Sequence, residues 1–150
     1  MRAFTASGAA FLLAVLWFDL MFDVQVLRRR RVEVPEAVLE SIAAYYRRVT
    51  TEARPMNRLV AAAMLATLGA IVAELVDAAA PHWPGWVSLA LVASAVGLAA
   101  GRTVRNAVRL GARRDPLPRQ LALARSVGRD HLFCLAAVSA ALVLQLAWAR

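Results

Sequence analysis

Two aspartates, Asp19 and Asp23, stand one helical turn apart inside the first apolar stretch of the chain, WFDLMFDVQV. The i, i+4 spacing puts both carboxylates on one face of a helix. An ionisable group at the centre of an apolar span costs about 2.5–3.5 kcal/mol, so each needs a partner or a task. Other polar residues occur at similar depth. Asn57 and Arg58 open the second apolar stretch, Arg102, Arg105 and Asn106 close the third, and Asp130 and His131 open the fourth. In a compact bundle all of these reach the same end and line a polar chamber there. Three uses compete for it. Asp19 and Asp23 pair with Arg58, Arg102 or Arg105 and fix the bundle; or the chamber takes an amphiphilic ligand, with the carboxylates and His131 moving protons. In the third, Asp19, Asp23 and His131 offer oxygen and nitrogen ligands to a divalent ion, but no metal-site motif carries them, so no metal is assigned.

A second polar set comes from Glu74, Asp77 and Gln145, at the other end of their stretches. Asp77 is close enough to the boundary to reach water. Glu74 is deeper, and the expectation is a protonated or hydrogen-bonded carboxyl, with Gln145 at matching depth. Two polar zones outline a path across the membrane, with nothing charged between them.

The elements that must position these groups are four apolar segments, about 3–27, 59–79, 83–100 and 131–148, each roughly long enough to cross a bilayer. With 61% hydrophobic residues over 150, the chain is too apolar for a water-soluble domain of this size. Backbone polar groups in lipid must be satisfied within each segment, so the four are helices. The predicted fold class is all-α: one domain over 1–150, an integral membrane four-helix bundle with cytoplasmic interfacial helices.

Charge orients it. The net charge is +8, and the basic residues are all arginine. They concentrate in 28–58 and 102–130, the loops after the first and third segments. The loop between the second and third has none. The positive-inside rule then places both Arg-rich loops in the cytoplasm and both termini outside, in an inner (plasma) membrane crossed several times. Arg28–Arg31 follow the first span, so that span reads as an uncleaved anchor. Because the charge is confined to these loops, the expected partner is a bilayer with anionic headgroups and no nucleic acid. The single thiol, Cys134, makes neither an intrachain disulfide nor a metal cluster.

Val38, Ile42, Tyr45 and Val49 recur at helical spacing between Pro35 and Pro55, which predicts a helix in the headgroup layer with Tyr45 and Tyr46 at the interface. Arg102, Arg105, Arg109 and Arg113 share another helical face. Gly111 and 115–118 break it before a second amphipathic piece, 121–127. Trp83, Trp86 and Trp148 mark the outer boundary, and Pro81, Pro84 and Gly85 a tight outer turn beside a solvated His82. Ala90, Ala93, Ser94, Gly97 and Gly101 form a stripe of small residues that lets a neighbouring backbone approach, within the chain or in another copy. Four short helices make a thin bundle, so a homo-oligomer is expected. Phosphate-binding glycine loops, nucleophile elbows and paired cysteines are absent from the sequence.

Tyr45–Asn57, YYRRVTTEARPMN, forms an arm after the first helix that leads to a Pro near the second. Arg125–His131, RSVGRDH, is a basic run into the last. In length and order of features the chain resembles the anthrone-oxygenase-like family of small four-helix membrane proteins. That resemblance implies the four-helix membrane fold and, for activity, an oxygenase acting on a lipophilic substrate. From the residues themselves, the first expectation is a multi-pass protein that binds or passes a small or lipophilic ligand at the Arg-rich end. The alternative is a membrane enzyme using Asp19, Asp23 or His131 as acid or base. The sequence specifies no cofactor.

Overall fold

The computed structural model describes residues 2–28, 34–77 and 83–147, and among these it is helical with no strand. The elements are α1 (Arg2–Leu27), α2 (Glu36–Arg47), α3 (Arg54–Val76), α4 (Trp83–Leu98), α5 (Val104–Ala112) and α6 (Leu117–Ala147). A π-helical turn, Arg48–Glu52, extends α2, and another, Ala99–Thr103, joins α4 to α5 in one continuous rod. His82, Trp148, Pro81 and Arg29–Arg31 lie outside the described residues.

Four helices are long and apolar enough to cross a membrane: Ala3–Leu27, Pro55–Val76, Trp83–Ala112 and Leu117–Ala147. The last two exceed the expected segments. At 1.5 Å per residue, the 31 residues of α6 reach about 46 Å, well beyond a hydrocarbon core of about 30 Å. The piece 121–127 is therefore part of α6 and not a separate helix. Pro84 and Gly85 are buried in the first turn of α4, where a missing N–H costs nothing, so they begin the helix and do not form the turn.

α1 packs against α3 and α6, and α4 packs against α3 and α6. Thr5 meets Glu74 and Asp23 meets His131, so α1 runs antiparallel to both neighbours. Ala95 meets Cys134 and Thr103 meets Asp130, which makes α4 antiparallel to α6. The result is an up-down-up-down bundle. Its middle is closed by small and aliphatic side chains: Ala9, Leu12, Ala95, Cys134, Ala137 and Val138. Its outward surface is apolar, with Phe11, Phe18, Leu65, Val72, Phe133 and Val143 all exposed. The stripe Ala90, Ala93, Ser94, Gly97, Gly101 also faces outward, and a Cβ at Gly97 or Gly101 would meet nothing within 4 Å. The close approach it permits is made by no described residue of this chain.

Both Arg-rich stretches lie at one end, where α2 closes the bundle. Its apolar face, Leu39, Ile42, Ala43 and Tyr46, packs with Val26 of α1, Ala107 and Leu110 of α5, and Leu123, Ala124 and Val127 of α6. The periodicity that predicts a helix lying on headgroups is instead answered by protein: Tyr46 is 2% exposed. Gly111 allows this docking, since a Cβ there would lie 2.7 Å from the Arg47 backbone nitrogen. Arg113, in a left-handed conformation (φ 51°), ends α5 and ion-pairs with Glu36 and Glu40 of α2 at 3.2 and 3.3 Å.

Gly111→Ala should force α2 off α5 and lower stability by roughly 1–3 kcal/mol, as overpacking typically does. Gly97→Ala should cost nothing measurable. Thermal unfolding of both variants in the same detergent checks the contrast.

Candidate functional site

Where α1, α2 and α6 meet at the basic end, two side chains hydrogen-bond to one buried carboxylate. Asp23 is fully buried. Its Oδ1 accepts from the Tyr46 hydroxyl at 2.7 Å, and its Oδ2 lies 2.7 Å from His131 Nδ1. The Tyr46 hydroxyl is also 3.4 Å from the same nitrogen. One turn earlier, Asp19 Oδ1 accepts from the Tyr45 hydroxyl at 2.7 Å. The Tyr45 ring stacks on Phe22 with centroids 4.0 Å apart.

Local sequence explains each placement. The i, i+4 aspartates of α1 meet adjacent tyrosines on α2, because α2 crosses the end of α1 and offers one phenol to each turn. Gly128 brings α1 against α6: a Cβ there would stand 3.1 Å from the Asp23 Cβ. That approach lets a short Asp side chain reach His131, one turn further along α6.

The imidazole is asymmetric. Nδ1 is committed to Asp23 and Tyr46, whereas Nε2 faces Asp19 Oδ2 at 3.8 Å, beyond hydrogen-bond length. His131 keeps 11% of its side chain exposed and Asp19 15%, while Asp23 has none. The Asp19–His131 edge, with the half-buried Tyr45 beside it, is thus the part of the network that touches the surface. A carboxylate that holds one ring nitrogen fixes the tautomer and frees the other for proton exchange.

Both phenols lie outside the apolar spans and are pushed up from the ordinary tyrosine value, first by burial and then by the adjacent aspartates. They stay protonated and serve as donors. Among the described residues no group of three His, Cys, Asp or Glu side chains is arranged to hold a metal ion. The nearest set spends Asp23 Oδ2 and His131 Nδ1 on each other.

Asp130 belongs to a separate network on another flank of α6. It is 1% exposed and accepts from Arg102 through both Nε (3.0 Å) and the terminal nitrogen, and from Thr103 Oγ1 at 3.0 Å. Arg102 and Thr103 both sit in the π turn after α4, whose extra residue per turn directs them at α6. Asn106 Nδ2 donates to Ser126 Oγ at 3.3 Å, and Asn57 Nδ2 to the Thr50 carbonyl at 2.9 Å. Arg58 and Arg105 are exposed and make no ion pair with a described residue. The expected pairing of Asp19 and Asp23 with Arg58, Arg102 or Arg105 is therefore replaced: tyrosines and histidine satisfy them, and Arg102 goes to Asp130.

At the opposite end Glu74 Oε1 accepts from Thr5 Oγ1 at 2.6 Å. Gln145, its expected partner, is buried without that contact, and Asp77 is exposed at the end of α3. Comparison with family models, with curated proteins and with solved structures finds no match to this chain.

Tyr45 and Tyr46 are the two tyrosines of the chain, so phenolate absorbance reports on this site alone. In the folded protein neither should ionise near pH 10, and unfolding should restore ordinary titration. Because both phenols are raised, their contribution to stability is present below pH 10 and is lost as pH climbs toward the folded values. Tyr46→Phe removes a donor from a buried carboxylate and should cost about 1–3 kcal/mol. An ordinary phenolate titration in the native state would contradict the buried network.

Proposed function

We propose that this chain is a four-span membrane protein of the inner (plasma) membrane that binds a small or lipophilic ligand at its basic end. The polar contact would be the Asp19–His131 edge. The observation that carries this reading is the asymmetry of His131: Nδ1 clamped by Asp23, Nε2 turned toward the surface-reaching carboxylate. Ionisable side chains of this kind, kept inside an apolar span, generally mark a binding or proton-handling site.

Several features support binding over passage. The aliphatic middle of the bundle separates the Asp–His–Tyr cluster from the Thr5–Glu74 pair, and no described charged side chain bridges the two. Orientation follows from charge: both Arg-rich stretches share one end, which the positive-inside rule assigns to the cytoplasm, with both termini outside and anionic headgroups around the arginines. The outward stripe of small residues on α4 supports association with a second copy.

The second reading is a membrane enzyme, oxygenase-like or other, acting on a lipophilic substrate. One specific observation favours it: Asp23 holds His131 as an orienting carboxylate holds a general base, leaving Nε2 to take a substrate proton.

Two aspartate variants separate site from scaffold. Asp19→Asn should leave thermal stability nearly intact while abolishing retention of whatever small molecule co-purifies with the wild type, read by mass spectrometry. Asp23→Asn should cost both. Retention unchanged in Asp19→Asn would make the edge scaffold. A conversion of the retained molecule that stops in His131→Gln would establish the enzyme. For topology, a lone cysteine at position 40 in a Cys134→Ala background should be labelled from the cytoplasmic side only; labelling from outside would reverse the assignment.

A further inference from the structure

A groove of about 470 Å3 runs along the flank of α6 facing away from Asp23, at the basic end. Arg102, Arg125, Ser126, Arg129, Asp130 and Pro118 are among the residues that line it. Three guanidiniums face one carboxylate, and that carboxylate, Asp130, is already held by Arg102 and Thr103. Among the described residues that line it, guanidiniums thus outnumber carboxylates three to one. Arg125 is braced on the Val26 carbonyl at 3.4 Å, and Arg129 is exposed with no ion pair to a described residue. Guanidiniums with a hydroxyl beside them fit phosphate oxygens, which they bind through paired N–H donors.

The same helical face then changes character. Beyond Arg125 and Arg129, at steps of three and four residues, come Phe133, Ala136, Ala140 and Val143, all exposed. From Arg129 to Val143 the helix climbs about 21 Å, more than the ~15 Å of one leaflet's hydrocarbon. Charge at the foot and an uninterrupted apolar face above it match an amphiphile with an anionic head and a chain as long as a leaflet.

We propose that this groove is a binding site for one anionic phospholipid. The phosphate lies between Arg125 and Arg129 near Ser126, and an acyl chain runs along Phe133, Ala136, Ala140 and Val143. The site is independent of the Asp19–His131 edge, which lies on another flank of α6. A soluble phosphate would use the same guanidiniums but gain nothing from the apolar face.

Native mass spectrometry of the full chain, released from nanodiscs of equal parts phosphatidylcholine and phosphatidylglycerol, tests the site. Wild type should keep phosphatidylglycerol in preference to phosphatidylcholine. Arg129→Gln should lower the phosphatidylglycerol-bound fraction about fivefold, the scale of one arginine at an anionic headgroup, and adding Arg125→Gln should lower it further. Arg58→Gln and Arg105→Gln remove exposed charges from residues that do not line the groove and should change nothing. Arg129 makes no hydrogen bond or ion pair with a described residue, so its variant should melt like wild type even if the double variant does not. Equal retention in Arg129→Gln, an equal loss in the two control variants, or no preference in wild type would overturn the proposal. Displacement of the lipid by millimolar inorganic phosphate would overturn it too, in favour of a soluble phosphate ligand.

Discussion

A carboxylate with no access to water must be hydrogen-bonded by the protein, and Asp23 imposes that condition on the whole basic end. Leaving such a group unpaired costs several kcal/mol, so donors must be delivered to it from elsewhere in the chain. Tyr46 comes from α2 and His131 from α6, separated from Asp23 by 23 and 108 residues. The requirement therefore ties three helices at one point. It fixes how deeply α2 sits, how closely α1 approaches Gly128 and which flank of α6 faces inward.

From that knot the two faces of α6 acquire different duties. His131 points to α1 and α2, and its neighbour Asp130 points to the π turn that follows α4. Consecutive residues on a helix diverge by about 100°, so adjacent polar positions naturally serve separate neighbours. Asp130 anchors the α4–α5 rod through Arg102 and Thr103, and Asp23 anchors α2 through Tyr46. α2 and α5 are then closed against each other by Gly111, Arg113 and their shared apolar cluster. The basic end is thereby a small folded layer with its own core.

Toward the opposite end the logic inverts. Between Leu12 and Val138 the bundle holds itself with small and aliphatic contacts, and its large side chains turn outward. In lipid such outward apolar groups lose nothing by exposure, and helix association depends on close packing of small residues. Ala9, Ala95, Ala137 and Ala141 supply that packing within the chain. Gly97 and Gly101 remain on the surface.

Much of this was legible in the residues. Apolar length fixed four helices, because in lipid no other backbone arrangement satisfies its hydrogen bonds. Arginine distribution grouped the two loops at one end, and the spacing of Asp19 and Asp23 placed both on one face. Partners were not legible. Helical periodicity says that Val38, Ile42, Tyr45 and Val49 share a face, but a headgroup layer and a protein surface satisfy that pattern equally well. Nor does sequence rank the donors open to a buried aspartate: arginine has the stronger charge, yet the π turn after α4 carries Arg102 to Asp130 and leaves the tyrosines to α1. The pairing of Glu74 with Thr5 in place of Gln145, and the groove between Arg125 and Arg129, depend likewise on the rotation of each helix about its axis. That rotation is set only when all the helices pack together.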